Sequence, residues 1–196
     1  MSNVSRSCIL IALIMGIQAN LFAQSLNART DGQHLRVVIE RSRFLSGDAL
    51  RKLHDGVPVV YIFRLSAHTS RLGSTLAKSE YRFIISYDIF EERFQVSPVR
   101  PTGRVVSHLT ATTAEATFIE AMELPVTSIG TGMFWLRLEY QAEEATETNA
   151  PGMSIGGLVE IFSRTGTKEP TRGTMEAGPL RVSDLPRVAP PRGKSP

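Results

Sequence analysis

The sequence predicts a mainly β protein, an antiparallel β-sandwich or a strongly twisted sheet on which two short helices pack. Three observations favour this class. Long segments alternate between apolar and polar residues, consecutive segments are joined by short turns, and only two segments have helical spacing. A parallel α/β sheet needs a longer crossover between its strands, usually a helix, so the short turns argue against that arrangement.

The first predicted elements are a short strand and a short helix. In Leu35–Glu40 the apolar residues alternate so that one face is continuous, which is the pattern of a strand with one buried face. Ser46–Gly56 is typical of a helix, because Ser46 suits the N-cap position, Gly56 suits the C-terminal stop and two leucines lie three residues apart.

Two long strands follow and are predicted to pair as an antiparallel hairpin. Val57–Thr69 and Ser79–Phe90 both alternate, and each places aromatic side chains on one face. Matching aromatic faces stabilise such a pair across the strands. A charged turn then leads into a further strand at Arg93–Val99.

The rest of the domain is predicted to hold a capped helix among shorter strands. Thr112 and Glu115 match a capping box, in which Thr is followed by Glu three residues later, and the helix would end near Glu123, before Pro125. The remaining segments are strands at Val105–Thr110, Gly132–Gln141 and Leu158–Phe162, and a polar loop at Ala142–Gly152.

Residues 1–23 are predicted to be a cleavable secretory signal peptide. Ten uncharged residues from Cys8 to Ile17 follow a polar start with one basic side chain. This length fits the roughly 7–15 residues of a signal core and is below the roughly 20 of a membrane-spanning helix. Ala23 suits the cleavage position, although Leu21 is larger than usual there, so the cut is defined only within a few residues. An uncleaved membrane anchor is the alternative.

Export predicts a periplasmic or extracellular protein with no stable membrane span once the signal is removed. Cys8 begins the apolar run instead of following it, which argues against a lipoprotein cleavage site. Because Cys8 is the only cysteine, the mature chain would have no disulfide and no thiolate metal ligand.

A basic, proline-rich, disordered tail at residues 164–196 is predicted to follow a β-rich globular domain at residues 24–163. The tail has seven basic and three acidic side chains, whereas the domain has fourteen basic and sixteen acidic ones. Six of the eleven prolines lie at or after Pro170. Without a basic cluster on the domain itself, nucleic-acid binding is not expected. A tether to anionic envelope polymers is the alternative role for the tail.

The sequence has no recognisable motif for catalysis, for a cofactor or for a metal. It lacks the Gly-x-Ser-x-Gly elbow and the His-Glu-x-x-His pattern, and its glycine-rich residues 152–157 lack the Lys-Ser/Thr ending of a phosphate loop. No two of its histidines lie within four positions of each other: His34, His54, His68 and His108. No catalytic residue and no cofactor is therefore predicted.

One strand face is a candidate partner-binding surface. Met133, Trp135 and Arg137 lie on the same side of Gly132–Gln141, opposite its apolar side. Exposed apolar patches mark interaction sites. The alternative is that one of the helices covers this second face.

The order of these elements resembles an exported bacterial family named domain of unknown function 4390, over roughly residues 35–162. The sequence Asp-Gly-Val-Pro at residues 55–58 joins the helix to the long strand, and the hairpin carries Tyr-Arg-Phe-Ile-Ile-Ser-Tyr at residues 81–87. A charged turn, a capped helix and a Phe-Trp-Leu-Arg-Leu strand at residues 134–138 follow. The resemblance implies export and this fold. It provides no catalytic residue, and the tryptophans that the family carries near Ser70 are missing here.

The leading functional hypothesis is a non-enzymatic cell-envelope module that binds an envelope protein. A periplasmic carrier of a small molecule or lipid is the first alternative, and it would need a cavity between sheet and helices. An enzyme with an unrecognised site is the second. The oligomeric state is left open.

Overall fold

A computed structural model describes residues 25–99, 104–146 and 171–188, and the structural statements below concern these residues. They form two antiparallel sheets, one of three strands and one of six, together with three helices. The arrangement fits a β-sandwich with short helices and confirms the predicted fold class. None of these helices is both long and apolar enough to cross a membrane.

The six-stranded sheet has the order β6-β5-β4-β3-β8-β9 and the smaller sheet the order β1-β2-β7. The strands are β1 (Ser25–Thr30), β2 (His34–Glu40), β3 (Val59–His68), β4 (Thr75–Asp88), β5 (Arg93–Pro98), β6 (Val106–Leu109), β7 (Glu123–Pro125), β8 (Met133–Glu144) and β9 (Thr171–Arg181). The helices are α1 (Gly47–His54), α2 (Ala111–Ala121) and the single turn α3 (Val126–Ile129).

The predicted hairpin forms the centre of the large sheet. β3 pairs with β4 on one side, with Tyr61 opposite Phe83 and Phe63 opposite Tyr81, and with β8 on the other side. Val59 and the alternate residues after it on β3 are buried, as period-2 alternation requires of a strand with one face in the core. The hairpin prediction and its matching aromatic faces are confirmed.

Helix α1 ends as the sequence predicts. Gly56 has φ of +78° and donates its N–H to Leu53 O, and Val57 donates to Lys52 O, which together form a Schellman motif. At the other end Ser46 occupies the N-cap position, but its hydroxyl donates to Arg43 O and makes no cap hydrogen bond to the helix.

Helix α2 begins differently from the prediction. Its N-cap is Thr110, whose hydroxyl accepts the N–H of Thr113, so the capping box proposed for Thr112 and Glu115 is wrong. The side chain of Glu115 points inward, and the residue is 6% exposed. It accepts hydrogen bonds from Ser42 Oγ and from the Leu45 N–H, both at 2.7 Å.

One hydrophobic core fills the space between the large sheet and the layer of small sheet and helices. Phe63 lies at its centre, within 5.0–6.3 Å, centroid to centroid, of five other rings. Helices α1 and α2 contribute Leu53 and Phe118 to this same core. Both helices therefore lie on the side of the large sheet that faces the small one.

The predicted tail is partly wrong. Residues 171–181 form β9, which pairs with β8 as the edge of the large sheet, and Met175 is buried there. Further on, residues 186–188 bind β1: Thr30 donates its N–H to Pro186 O and accepts the N–H of Val188. The globular domain therefore extends beyond residue 163, to at least Val188. A chain stopped after Arg164 would lose a strand of the sheet, and not only a tail.

Other sequence predictions differ from the structure in their extent. β8 runs on to Glu144, into the segment predicted as a loop, and β1, β7 and α3 were not predicted because each is short and weakly patterned. The predicted signal peptide, the predicted strand at Leu158–Phe162 and the glycine-rich residues 152–157 lie outside the described residues.

Candidate functional site

The side of the large sheet that faces away from the core is here named the outer face. Its side chains come from alternate positions of four neighbouring strands, and most of them are polar or charged. No helix of the described chain lies on it, so the interpretation that a helix covers this second face is wrong for these residues. The outer face is formed by Arg64, Ser66 and His68 of β3, Lys78, Glu80 and Arg82 of β4, Trp135, Arg137 and Glu139 of β8, and Arg172, Thr174 and Glu176 of β9.

A small apolar cluster marks one end of this side of the sheet. Val60, Ile62 and Ala145 are buried there, and Ile84 packs against them. The charged positions begin where this cluster ends, at Arg64. On β3, the polar part of the outer face is therefore the half of the strand that leads to the β3–β4 turn.

One arginine–glutamate–arginine triad lies on β3 and β4. Glu80 accepts the Arg64 Nε–H at 3.0 Å and the Arg82 Nε–H at 2.8 Å, one on each carboxylate oxygen. The hydrogen bonds from these two guanidinium groups lower the pKa of Glu80, which therefore stays ionised at neutral pH. Two positive charges share one negative charge, so the triad keeps a net charge of about +1.

A second triad lies on β8, β9 and the β3–β4 turn. Glu176 accepts the Arg71 Nε–H at 2.8 Å and the Arg137 Nε–H at 2.9 Å. Arg137 also donates from Nη2 to Arg71 O at 2.8 Å. Hydrogen bonds from Arg71 and then Arg137 lower the pKa of Glu176. Two hydrogen-bond partners fix the guanidinium of Arg137, so this side chain loses little conformational entropy when a partner binds.

A groove of about 440 Å³ lies between the two triads and is here named the Ser66 groove. Ser66 lies opposite Lys78 of β4 on one side and opposite Arg137 of β8 on the other. Lys78 and Glu139 are exposed, and neither makes an ion pair with another described residue. The other charged or titratable side chains that line the groove are Arg64, His68 and Glu80.

Ser66 and His68 form a hydrogen-bonded pair within the groove. His68 Nε2 is 2.9 Å from Ser66 Oγ, and His68 Nδ1 is 3.3 Å from Gly73 O. This geometry suits the tautomer in which Nδ1 donates to Gly73 O and Nε2 accepts from Ser66. A serine hydrolase also needs N–H donors for an oxyanion, and the N–H groups of β3 belong to a strand paired on both sides. The pair is therefore a poor nucleophilic site.

The three residues singled out in the sequence all lie on this face of β8. Trp135 is half-buried, directly opposite His68, and its indole lies against Gly178, where a Cβ atom would come within 2.7 Å of the ring. Arg137 lines the Ser66 groove. Met133 lies further towards the end of β8 and is 60% exposed. Arg137 thus borders the groove, Trp135 lies opposite the lining residue His68, and Met133 extends the surface away from the groove.

The remaining histidines have separate surroundings. His34 lies near Asp31 and Glu123, His54 packs on the ring of Tyr87, and His108 is 2.7 Å from a carboxylate oxygen of a nearby glutamate. In the part of the chain that the structure describes, no group of three or more His, Cys, Asp and Glu side chains could hold a metal ion.

Comparisons of the chain with protein-family models, with curated proteins and with solved structures found no match. The function is therefore argued from the surface itself. Sequence reasoning found the β8 part of this surface from its alternation but missed the two triads. The first triad occupies polar positions of β3 and β4, and the second lies on the β3–β4 turn, β8 and β9. Only the pairing of these strands brings the members of each triad together.

Proposed function

We propose that the protein is a non-enzymatic module of the cell envelope that binds another protein through its outer face. The observation that carries this proposal is the position of Trp135. It is a half-buried tryptophan between an exposed methionine and a fixed arginine, on a sheet face that no described helix covers. Such a side chain gains binding energy when a partner removes its remaining surface from water.

The composition of this surface supports a protein partner. Tryptophan, methionine and arginine are enriched at the centres of protein interfaces, and tryptophan and arginine dominate their binding energy. Arg137 is already held by Glu176 and by Arg71 O, which lowers the entropy cost of using it.

The interior does not favour the carrier hypothesis. The ring of Phe63 and its aromatic neighbours fill the space between the large sheet and the helices, where a carried ligand would have to lie. Binding at the surface is therefore preferred to binding inside the domain.

The location is part of the same proposal. The signal pattern at residues 1–23 supports export to the periplasm or beyond. Mass spectrometry of the protein from the envelope fraction tests this, and we expect a chain that begins near Gln24. A full-length chain that retains Cys8 in the cytoplasm would contradict export.

The binding test is a crosslinked pull-down from cell envelopes with the full tagged chain and single variants. We expect Trp135→Ala and Met133→Glu to lose the same partner. Phe90→Ala is the matched control, because Phe90 is 99% exposed on the turn after the far end of β4. Circular dichroism melting shows whether each variant is folded. Capture that is unchanged in both β8 variants would refute the proposed surface.

A further inference from the structure

We infer that the Ser66 groove binds a carboxylate that the partner presents on an extended acidic segment. This inference rests on the proposed function, because it names the chemistry of the segment that would lie beside Trp135. The groove has cationic side chains from three adjacent strands, β3, β4 and β8, around one hydroxyl. A single anionic group can reach all of them only from the outer face.

The charge around the groove is positive. Each triad keeps one positive charge, because four guanidinium groups share the two carboxylates of Glu80 and Glu176. Lys78 adds a further positive charge and Glu139 subtracts one. The surroundings of the groove therefore have a net charge of about +2, while the chain from residue 24 to residue 188 has nineteen basic and nineteen acidic side chains.

The donors of the groove suit a carboxylate. Lys78 and Arg137 flank Ser66 as its two cross-strand neighbours, and neighbours of this kind have Cβ atoms roughly 5 Å apart. Arg137 uses Nε and Nη2 on its internal partners, and an arginine has five N–H donors, so further donors are left for a ligand. Ser66 lies between the two cations, and charge-assisted hydrogen bonds from cationic N–H groups to a carboxylate are the strong ones.

A spaced acidic segment fits better than a continuous polyanion. Glu139 is exposed and lines both this groove and the adjoining one formed with Arg172 and Thr174. A ligand with charge at every position would meet this carboxylate, and like charges at close range oppose binding. A peptide with alternate acidic residues can place one carboxylate over Ser66 and a neutral residue over Glu139.

The test uses the full chain and a pair of synthetic peptides, (Thr-Glu)4 and its neutral counterpart (Thr-Gln)4. Trp135 is the only tryptophan of the chain and lies opposite His68, so its fluorescence reports on occupancy of the groove. We expect the acidic peptide to change the Trp135 emission in a saturable way that weakens with salt, and the neutral peptide to cause no change.

Charge variants locate the binding site. We expect Lys78→Glu to lower the affinity for the acidic peptide about 10-fold or more, and Glu139→Gln to raise this affinity several-fold. Arg29→Glu is the matched control, because it makes the same change in net charge on an exposed position of β1, outside the groove. Both positions are on the surface, so the variants should keep the wild-type melting temperature.

The outcomes separate this inference from the proposed function. Equal binding of both peptides, or equal losses for Lys78→Glu and Arg29→Glu, would overturn the carboxylate site. If partner capture depends on Trp135 but the acidic peptide does not bind, the inference is wrong and the proposed binding face is still supported. If the peptide binds specifically in the groove while Trp135→Ala leaves partner capture unchanged, the inference is supported and Trp135 is not a contact of the partner.

Discussion

Glu115 joins two parts of the domain that lie 70 residues apart in the chain, and its removal should be costly. Its buried carboxylate is the acceptor for the Leu45 N–H and for Ser42 Oγ, and it thereby holds the segment between β2 and α1. In Glu115→Ala both donors lose this acceptor. Each hydrogen bond to a charged group contributes about 1.5–3 kcal/mol. Because the Ser42 hydroxyl can donate to water instead, we expect the variant to lose about 3 kcal/mol of unfolding free energy in total.

Glu115→Gln should cost much less, about 1 kcal/mol, because the amide oxygen can still accept the Leu45 N–H. Glu120→Ala is the matched control on an exposed position of the same helix, and it should stay within about 0.5 kcal/mol of wild type. Urea unfolding followed by the emission of Trp135 measures all three. For a domain of this size, 3 kcal/mol corresponds to a melting temperature lower by roughly 10 °C.

The result that would refute this reasoning is specific. If Glu115→Ala unfolds at the same urea concentration as Glu120→Ala, the two hydrogen bonds do not stabilise the segment between β2 and α1. If Glu115→Gln is as unstable as Glu115→Ala, the negative charge matters and the acceptor geometry does not.

Three further predictions follow from single contacts. Gly178→Ala places a Cβ atom against the Trp135 indole, so we expect a loss of about 1–3 kcal/mol and a red-shifted emission, and an unchanged spectrum would contradict the contact. Burial raises the pKa of Tyr61, so the folded state favours the protonated phenol. The protonated phenol therefore contributes fully to the free energy of unfolding below the unfolded pKa of about 10, and this contribution is lost as the pH rises above that value. Tyr61→Phe should remove this effect and flatten the decline of stability in alkali. The hydrogen bond from Arg71 is the main cause of the lowered pKa of Glu176. The ionised carboxylate therefore contributes fully to the stability of the fold at neutral pH, and this contribution is lost as the pH falls through the folded pKa. Because the site is exposed, Arg71→Ala should lower the free energy of unfolding by under about 1 kcal/mol at pH 7 and by less at pH 3. An equal loss at both pH values would contradict an ion pair between Arg71 and Glu176.

The fold class could be predicted because local pattern and tertiary structure agree in the centre of the sheet. In β3 and β4 the alternation is long enough to identify each strand and its buried face, and the short turn between them imposes antiparallel pairing. Gly56 was predictable for a similar reason, since a positive φ at the end of a helix selects glycine.

The errors arose where partners distant in sequence decide the structure. Glu115 fits the spacing of a capping box, but the burial of α2 turns its carboxylate towards Ser42, about 70 residues earlier. β9 contains two glycines and a proline and only a few apolar residues, so composition favours disorder. Its order comes from the ladder with β8 and from the Glu176 triad, which no local pattern records.

The contact of Thr30 with residues 186–188 has a consequence for the order in which the molecule can assemble. A chain that is synthesised or threaded through a pore from its N terminus presents β1 early, whereas β9 and the segment that closes on Thr30 arrive last. Until then β8 is an edge with bare N–H and C=O groups, which is a template for pairing with other chains. The period between the emergence of β8 and that of β9 is therefore the interval in which a nascent molecule is most prone to aggregate. Proteolytic loss of the last strand would return a mature molecule to the same condition.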